Sequence, residues 1–186
     1  MIDLLRARTA AHHHDLDTDL RIEERLSGLN SRQQLIAGYR RFISQCQVVL
    51  TPHLLEISDL TLSSRFRRRE TKSEPARPGN PSFDPVLPAV GTKAEALGVM
   101  YVLEGSTLGG RVILKTLRSH RVSTDELHFL DPYGEDAGAL WRTFLGVLER
   151  ETAPDQAAMD ACVFGAINTF LFAAICLRSA HIPDGP

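Results

Sequence analysis

Leu35-Ile-Ala-Gly-Tyr39-Arg-Arg-Phe42-Ile43-Ser-Gln-Cys46-Gln-Val-Val-Leu50-Thr-Pro-His-Leu54-Leu-Glu-Ile57 decides the fold class. Its apolar positions run Leu35, Ile36, Tyr39, Phe42, Ile43, Cys46, Val49, Leu50, Leu54, Ile57, with His53 on the same face. Steps of three and four residues mark one long amphipathic helix. Asn30 and Ser31 offer its N-cap. Upstream, a helix is expected over about Asp3 to Leu26, ending near Gly28. Downstream, a third runs from Thr92 to about His120, with Thr92 as cap and Glu95 at the capping-box position. A fourth spans about Ala137 to Thr152. A last one spans about Asp155 to Ala180, between Pro154 and Pro183. No stretch alternates with period two. The reading is all-α, about five major helices, in a single domain over residues 1–186.

Composition narrows the function classes. Of 186 residues, 43% are hydrophobic and 24% charged, enough apolar material for a core. A net charge of -2 is not the footprint of a general nucleic-acid binder. Cys46, Cys162 and Cys176 are odd in number and widely spaced, which suits neither a disulfide framework nor a zinc site. They read as buried free thiols in a reducing, cytoplasmic setting. No apolar run reaches the roughly 18 to 20 residues that cross a bilayer. Phe164 to Leu177 is shorter and is interrupted by Asn168 and Thr169. No basic-then-apolar opening suggests a signal peptide.

Ser63 to Val90 breaks the helical pattern. Pro75, Pro78, Pro81, Pro85 and Pro88 follow Arg65, Arg67, Arg68, Arg69 and Lys72. A surface loop is expected over about 63–90, its basic run a solvated face rather than a phosphate or partner contact.

Two segments carry chemistry. Arg6-Ala-Arg-Thr9-Ala-Ala-His12-His13-His14-Asp15-Leu16, wound as a helix, puts Thr9 at the centre of the apolar face. His12 and His13 flank that centre at roughly 50° on opposite sides, and His14 points about 140° away. An inward imidazole can ligate a metal. A hydrogen-bonded core histidine is the plainer alternative, and periodicity does not choose between His12 and His13. The other segment is Gly98-Val-Met-Tyr101-Val-Leu-Glu104-Gly105-Ser106-Thr107-Leu108-Gly109-Gly110-Arg111. Each helical glycine costs roughly 0.5 to 1 kcal/mol against alanine. Gly98, Gly105 and Gly109 lie within about 40° of one another, a stripe without side chains. Either something flat approaches the backbone there, or another helix packs closely. A phosphate loop is the weak alternative, because no strand precedes it and the spacing fits neither nucleotide motif. Trp141, Phe144 and Phe170 read first as core aromatics. Arg142 could pair with a carboxylate at a pocket edge.

Together these segments resemble the heme oxygenase family, and are most similar to bacterial, biliverdin-producing members often paired with bacteriophytochromes. The carrying residues are Leu5-Arg6-x-x-Thr9-x-x-x-His13-x-x-Leu16-Asp17, Tyr39-x-x-Phe42, Tyr101-Val-Leu-Glu-Gly-Ser-Thr-Leu-Gly-Gly110, Pro132-Tyr-Gly134, Leu140-Trp-Arg142 and Thr169-Phe170. They cover roughly residues 3–62 and 91–178. The resemblance implies heme, as cofactor and substrate, between a proximal and a distal helix, with His13 as the iron ligand. Gly105, Gly109 and Gly110 would be the distal glycines, and Gly105, Ser106 and Gly109 would serve catalysis. Arg6 and Arg142 match basic positions near the propionates. Thr9, Tyr101 and Phe170 would complete the heme-binding set. The implied reaction opens heme with O₂ and electrons from a reductase or ferredoxin, giving biliverdin, carbon monoxide and iron. A bacteriophytochrome could receive the biliverdin. No nucleic acid or membrane is implied. Two departures stand out: Ser106 occupies the position of an aspartate in mammalian members, and Ala10 replaces a second basic residue. The competing class is a non-catalytic heme- or bilin-binding protein on the same scaffold. A di-iron enzyme would need inward Glu and His at helical spacing. Here Glu104 is the only acid in the apolar part of its helix.

Overall fold

Glycines set how closely the two central helices approach. In the computed structural model, which describes residues 1–69, 85–153 and 155–178, Lys93–Ser119 and Gln156–Arg178 lie against each other. A Cβ at Gly98 would collide with the Cys162 carbonyl, and one at Gly165 with the Glu95 carbonyl. Each helix therefore sinks into a notch of the other.

The described residues form seven α-helices, three short 3-10 turns (Ser58–Leu60, His128–Leu130 and Gly134–Asp136) and no strand. The α-helices are α1 (Ile2–Leu20), α2 (Ile22–Ser27), α3 (Leu29–Leu54), α4 (Leu62–Arg69), α5 (Lys93–Ser119), α6 (Ala137–Thr152) and α7 (Gln156–Arg178). The protein is all-α, as its periodicity requires. α3 buries Leu35, Ile36, Phe42, Ile43, Cys46, Leu50 and Leu54 against α5 and α7. Gly38 lets its backbone meet the Cys176 carbonyl, and Phe42 touches Phe172 at 6.4 Å between ring centroids. Thr92 caps α5, its hydroxyl accepting from the Glu95 N–H at 3.1 Å. The Glu95 carboxylate reaches back to the Gly91 N–H at 2.6 Å, one residue beyond the usual box. All three cysteines are buried thiols outside any disulfide. Burial pushes the Cys162 thiol up to about 12.

Four expectations change. The first helix breaks at Arg21, whose φ of 40° and ψ of 51° are left-handed, so α2 leaves in a new direction. No glycine announces this turn. Gly28, not Asn30 or Ser31, precedes α3. The Ser31 hydroxyl instead donates to the Arg25 carbonyl at 2.7 Å, tying α3 to α2. Residues 63–69 are helical rather than loop, and Arg65 and Arg69 are buried rather than solvated. Pro85 and Pro88 lie in the non-helical 85–90 segment. Lys72, Pro75, Pro78, Pro81, Pro154, Ala180 and Pro183 lie outside the described residues. Finally, α5 and α7 are each long and apolar enough to cross a membrane by length and composition. About half of each such stretch is buried against the rest of the protein, as in a core helix.

Candidate functional site

An open cleft of about 790 Å³ lies between α1, α2, α3, α5, α6 and α7. That sits in the upper part of the roughly 300–1,000 Å³ range of ligand pockets. α1 and α2 form one wall with Arg6, His13, Leu16, Asp17, Arg21 and Ile22. α5 forms another with Tyr101, Val102, Gly105, Ser106, Gly109, Gly110 and Ile113. Tyr39 and Phe42 of α3, Trp141 of α6, and Phe170, Ala173 and Leu177 of α7 complete it. Leu108 and Val112 are exposed apolar residues of this lining. A second hollow, about 180 Å³, lies between the 87–90 segment, the start of α5 and α7, and is too small for a large flat ligand.

His13 lies in the cleft lining with its side chain exposed, 63% accessible. Its ring meets Phe170 edge-on at 5.8 Å, and its Nδ1 pairs with Asp17 Oδ2 at 2.9 Å. A carboxylate that accepts from Nδ1–H leaves the lone pair on Nε2, the arrangement usual for a ligating imidazole. The pair spans i to i+4, so the helix itself sets the geometry. His12 and His14 do not line the cleft.

Across α5 the glycines divide. A Cβ at Gly109 would meet nothing within 4 Å, and one at Gly105 only Trp141 at 4.0 Å. Nothing packs into these gaps, so the bare backbone faces the cleft. Gly98 packs against α7, and Gly110, though in the lining, presses its backbone on the Leu130 carbonyl. Close helix packing thus accounts for Gly98, and open cleft accounts for Gly105 and Gly109. The Ser106 hydroxyl donates to the Leu103 carbonyl at 2.8 Å. Tyr101 stacks obliquely near Trp141 at 6.1 Å, and Trp141 near Phe144 at 5.5 Å.

Two sequence candidates lie off the lining. Thr9 is buried, its hydroxyl donating to the Leu5 carbonyl at 2.7 Å within α1. Arg142 is exposed on α6 and lies along Gly138. Arg21, brought to the cleft by its left-handed turn, pairs with Glu24 at 3.5 Å and was not among the sequence candidates. Its only sequence signal was a positive charge eight residues after His13.

A buried polar cluster stands behind the α5 wall. Glu104 receives Arg65 Nη1 at 2.5 Å on one oxygen, and Arg69 Nη2 at 3.2 Å and the Tyr133 hydroxyl at 2.8 Å on the other. Arg65 also donates to the Leu60 and Leu140 carbonyls. The Arg69 guanidinium lies 5.0 Å from the Tyr133 ring centroid. Burial pushes the Tyr133 phenol up to about 12, against the opposing pull of Arg69. Two cations on one carboxylate leave the cluster with a net positive charge, held by multiple hydrogen bonds. The missed signal was an i,i+4 arginine pair in α4 and one acid in an apolar helix.

The fold and site define an all-α protein with a broad, mainly apolar cleft, an imidazole on one wall and a side-chain-free ridge on another. A protein named "Heme oxygenase" from Xanthomonas campestris pv. campestris (strain 8004) is 30% identical over 174 residues, 92% of this chain and 95% of the relative. The chain belongs to the heme oxygenase family. No protein-family model matches it, and no solved structure matches it. The cleft residues fit the family's ligand. The imidazole has its Nδ1 engaged by a carboxylate, the ridge leaves room for a planar macrocycle, and Arg6 and Arg21 line the same space together with Glu23 and Glu24.

Proposed function

We propose that the protein binds heme in this cleft and opens it to biliverdin, carbon monoxide and iron. The observation that carries the reading is that His13, backed by Asp17, and the unfilled ridge at Gly105 and Gly109 line one cleft. His13 would hold the iron through Nε2. Asp17 fixes the ring's tautomer and raises its basicity. Gly105 and Gly109 would let the α5 backbone lie against the macrocycle, restricting which edge is accessible. Phe170, Trp141 and Tyr101 present apolar surface. Arg6 and Arg21 would pair with the two carboxylates. Heme, once bound, supplies both the iron that activates O₂ and the macrocycle that is opened. Ser106, in place of an acid, offers a hydroxyl that can order water but adds no charge. Electrons would come from a reductase or ferredoxin in the cytoplasm, and the product suits a bilin-binding photoreceptor of the bacteriophytochrome type.

Hemin titration of the wild type and His13→Ala tests this. The wild type should give a Soret band, and His13→Ala should lose at least tenfold in affinity or change its iron spectrum. Reductant and O₂, with catalase present to remove free peroxide, should yield a bilin. An unchanged spectrum and affinity in His13→Ala would dismiss the site. Tight binding without bilin would instead favour a carrier on this scaffold, a reading supported by the Ser106 proton being engaged with the Leu103 carbonyl.

A further inference from the structure

One backbone carbonyl joins the buried cluster to the cleft. The Leu103 oxygen accepts from Ser106 Oγ at 2.8 Å on the cleft side and from Arg69 Nη2 at 3.1 Å from behind α5. Helical geometry brings the Thr107 N–H to the same oxygen. Hydroxyl and guanidinium are thus no farther apart than the sum of those two hydrogen bonds, although one lines the cleft and the other is 2% exposed. Arg69 Nη2 also donates to Thr107 Oγ1 at 2.8 Å and to Glu104 at 3.2 Å, so its position is fixed from three sides.

A carbonyl oxygen has two lone pairs, and three donors compete for this one. A donation from a charged guanidinium is roughly twice as strong as a neutral one. The Ser106 hydroxyl makes the shorter contact of the two side chains, but its O–H is free to rotate, so it is the donor that can turn to another acceptor. We propose that Arg69 is a positioning residue for the cleft: by drawing on the Leu103 carbonyl, it sets how Ser106 divides its proton between that carbonyl and a polar group in the cleft. Glu104, Tyr133 and Thr107 hold Arg69 in place for this. The coupling through Leu103 belongs to the protein alone. What it acts on in the cleft rests on the heme reading above.

Arg69→Met is the first variant, because Glu104 keeps Arg65 and Tyr133 as partners; Arg69→Gln substitutes if the methionine variant does not fold. In hemin-free protein, amide hydrogen exchange of Thr107 is measured in wild type, Arg69→Met, Ser106→Ala and the double variant. The two substitutions should be non-additive by about threefold or more, as for residues in one network. In hemin-loaded protein, Arg69→Met should weaken azide binding about fivefold, because the Ser106 proton stays on Leu103. In the Ser106→Ala background the same change should have an effect under about twofold. Arg69→Lys keeps the charge but not the fork, and should resemble Arg69→Met. Additive exchange at Thr107 overturns the proposal. So does an azide effect that survives in Ser106→Ala and is absent in Arg69→Lys, which would be charge acting through space. A wild type that binds no hemin sinks the heme reading alone, since the exchange result stands without it.

Discussion

Gly98 and Gly109 sit three turns apart on the same helix and nearly in register, yet they answer opposite demands. At Gly98 the missing side chain is where α7 enters; at Gly109 it is where nothing enters. One absence contributes to stability through close packing, and the other leaves room beside the cleft at a cost in helix propensity. Identical chemistry on one stripe therefore does not define one role. The neighbour across the gap defines it.

The comparison breaks most sharply at Gly98. Gly98→Ala drives a Cβ into the α7 backbone, which cannot rotate away, and should destabilise by about 3 kcal/mol or more. Urea denaturation would measure this, and a loss under about 1 kcal/mol would mean the helices separate easily. Gly109→Leu should not lower the unfolding midpoint but should lower hemin affinity at least tenfold, the level expected when bulk fills a binding surface. Retained affinity would place the ligand elsewhere. Gly109→Ala, too small to fill the cleft, should stabilise the hemin-free protein by about 0.5–1 kcal/mol through helix propensity, read from the same curves. The opposite sign at Gly98 and Gly109 for the same substitution is the cleanest form of the contrast.

The smallest effect concerns the rear of α5. The Tyr133 phenol ordinarily titrates near 10 and is pushed up to about 12 in the fold. Its contribution is present in full below about pH 10 and is lost as pH rises through the folded value. Stability curves of wild type and Tyr133→Phe should therefore converge above about pH 10, the variant losing less. Parallel curves would show that Tyr133 does not titrate with unfolding.

Much of the fold was legible because helices write a 3.6-residue period into the chain. Leu35 to Leu54 and the Thr92 cap needed only local information. α4 was not legible: Arg65 and Arg69 resemble part of a solvated basic run until Glu104, Tyr133 and the Leu103 and Leu140 carbonyls supply partners from distant positions. The break at Arg21 carried no signal either, because a left-handed arginine depends on the packing around it rather than on its own preference. In the site, the stripe through Gly105 and Gly109 stood out by spacing, and only the family resemblance singled out His13 from His12, whereas Arg21 and the link through the Leu103 carbonyl appeared only in three dimensions.

The amino-acid order alone determined an all-helical chain, an imidazole-bearing opening helix and a glycine-interrupted central one, since period and propensity are local properties. Only the tertiary structure decided which glycines face a neighbour and which face open space, and which arginines are buried, because burial and pairing depend on residues brought together from far along the chain.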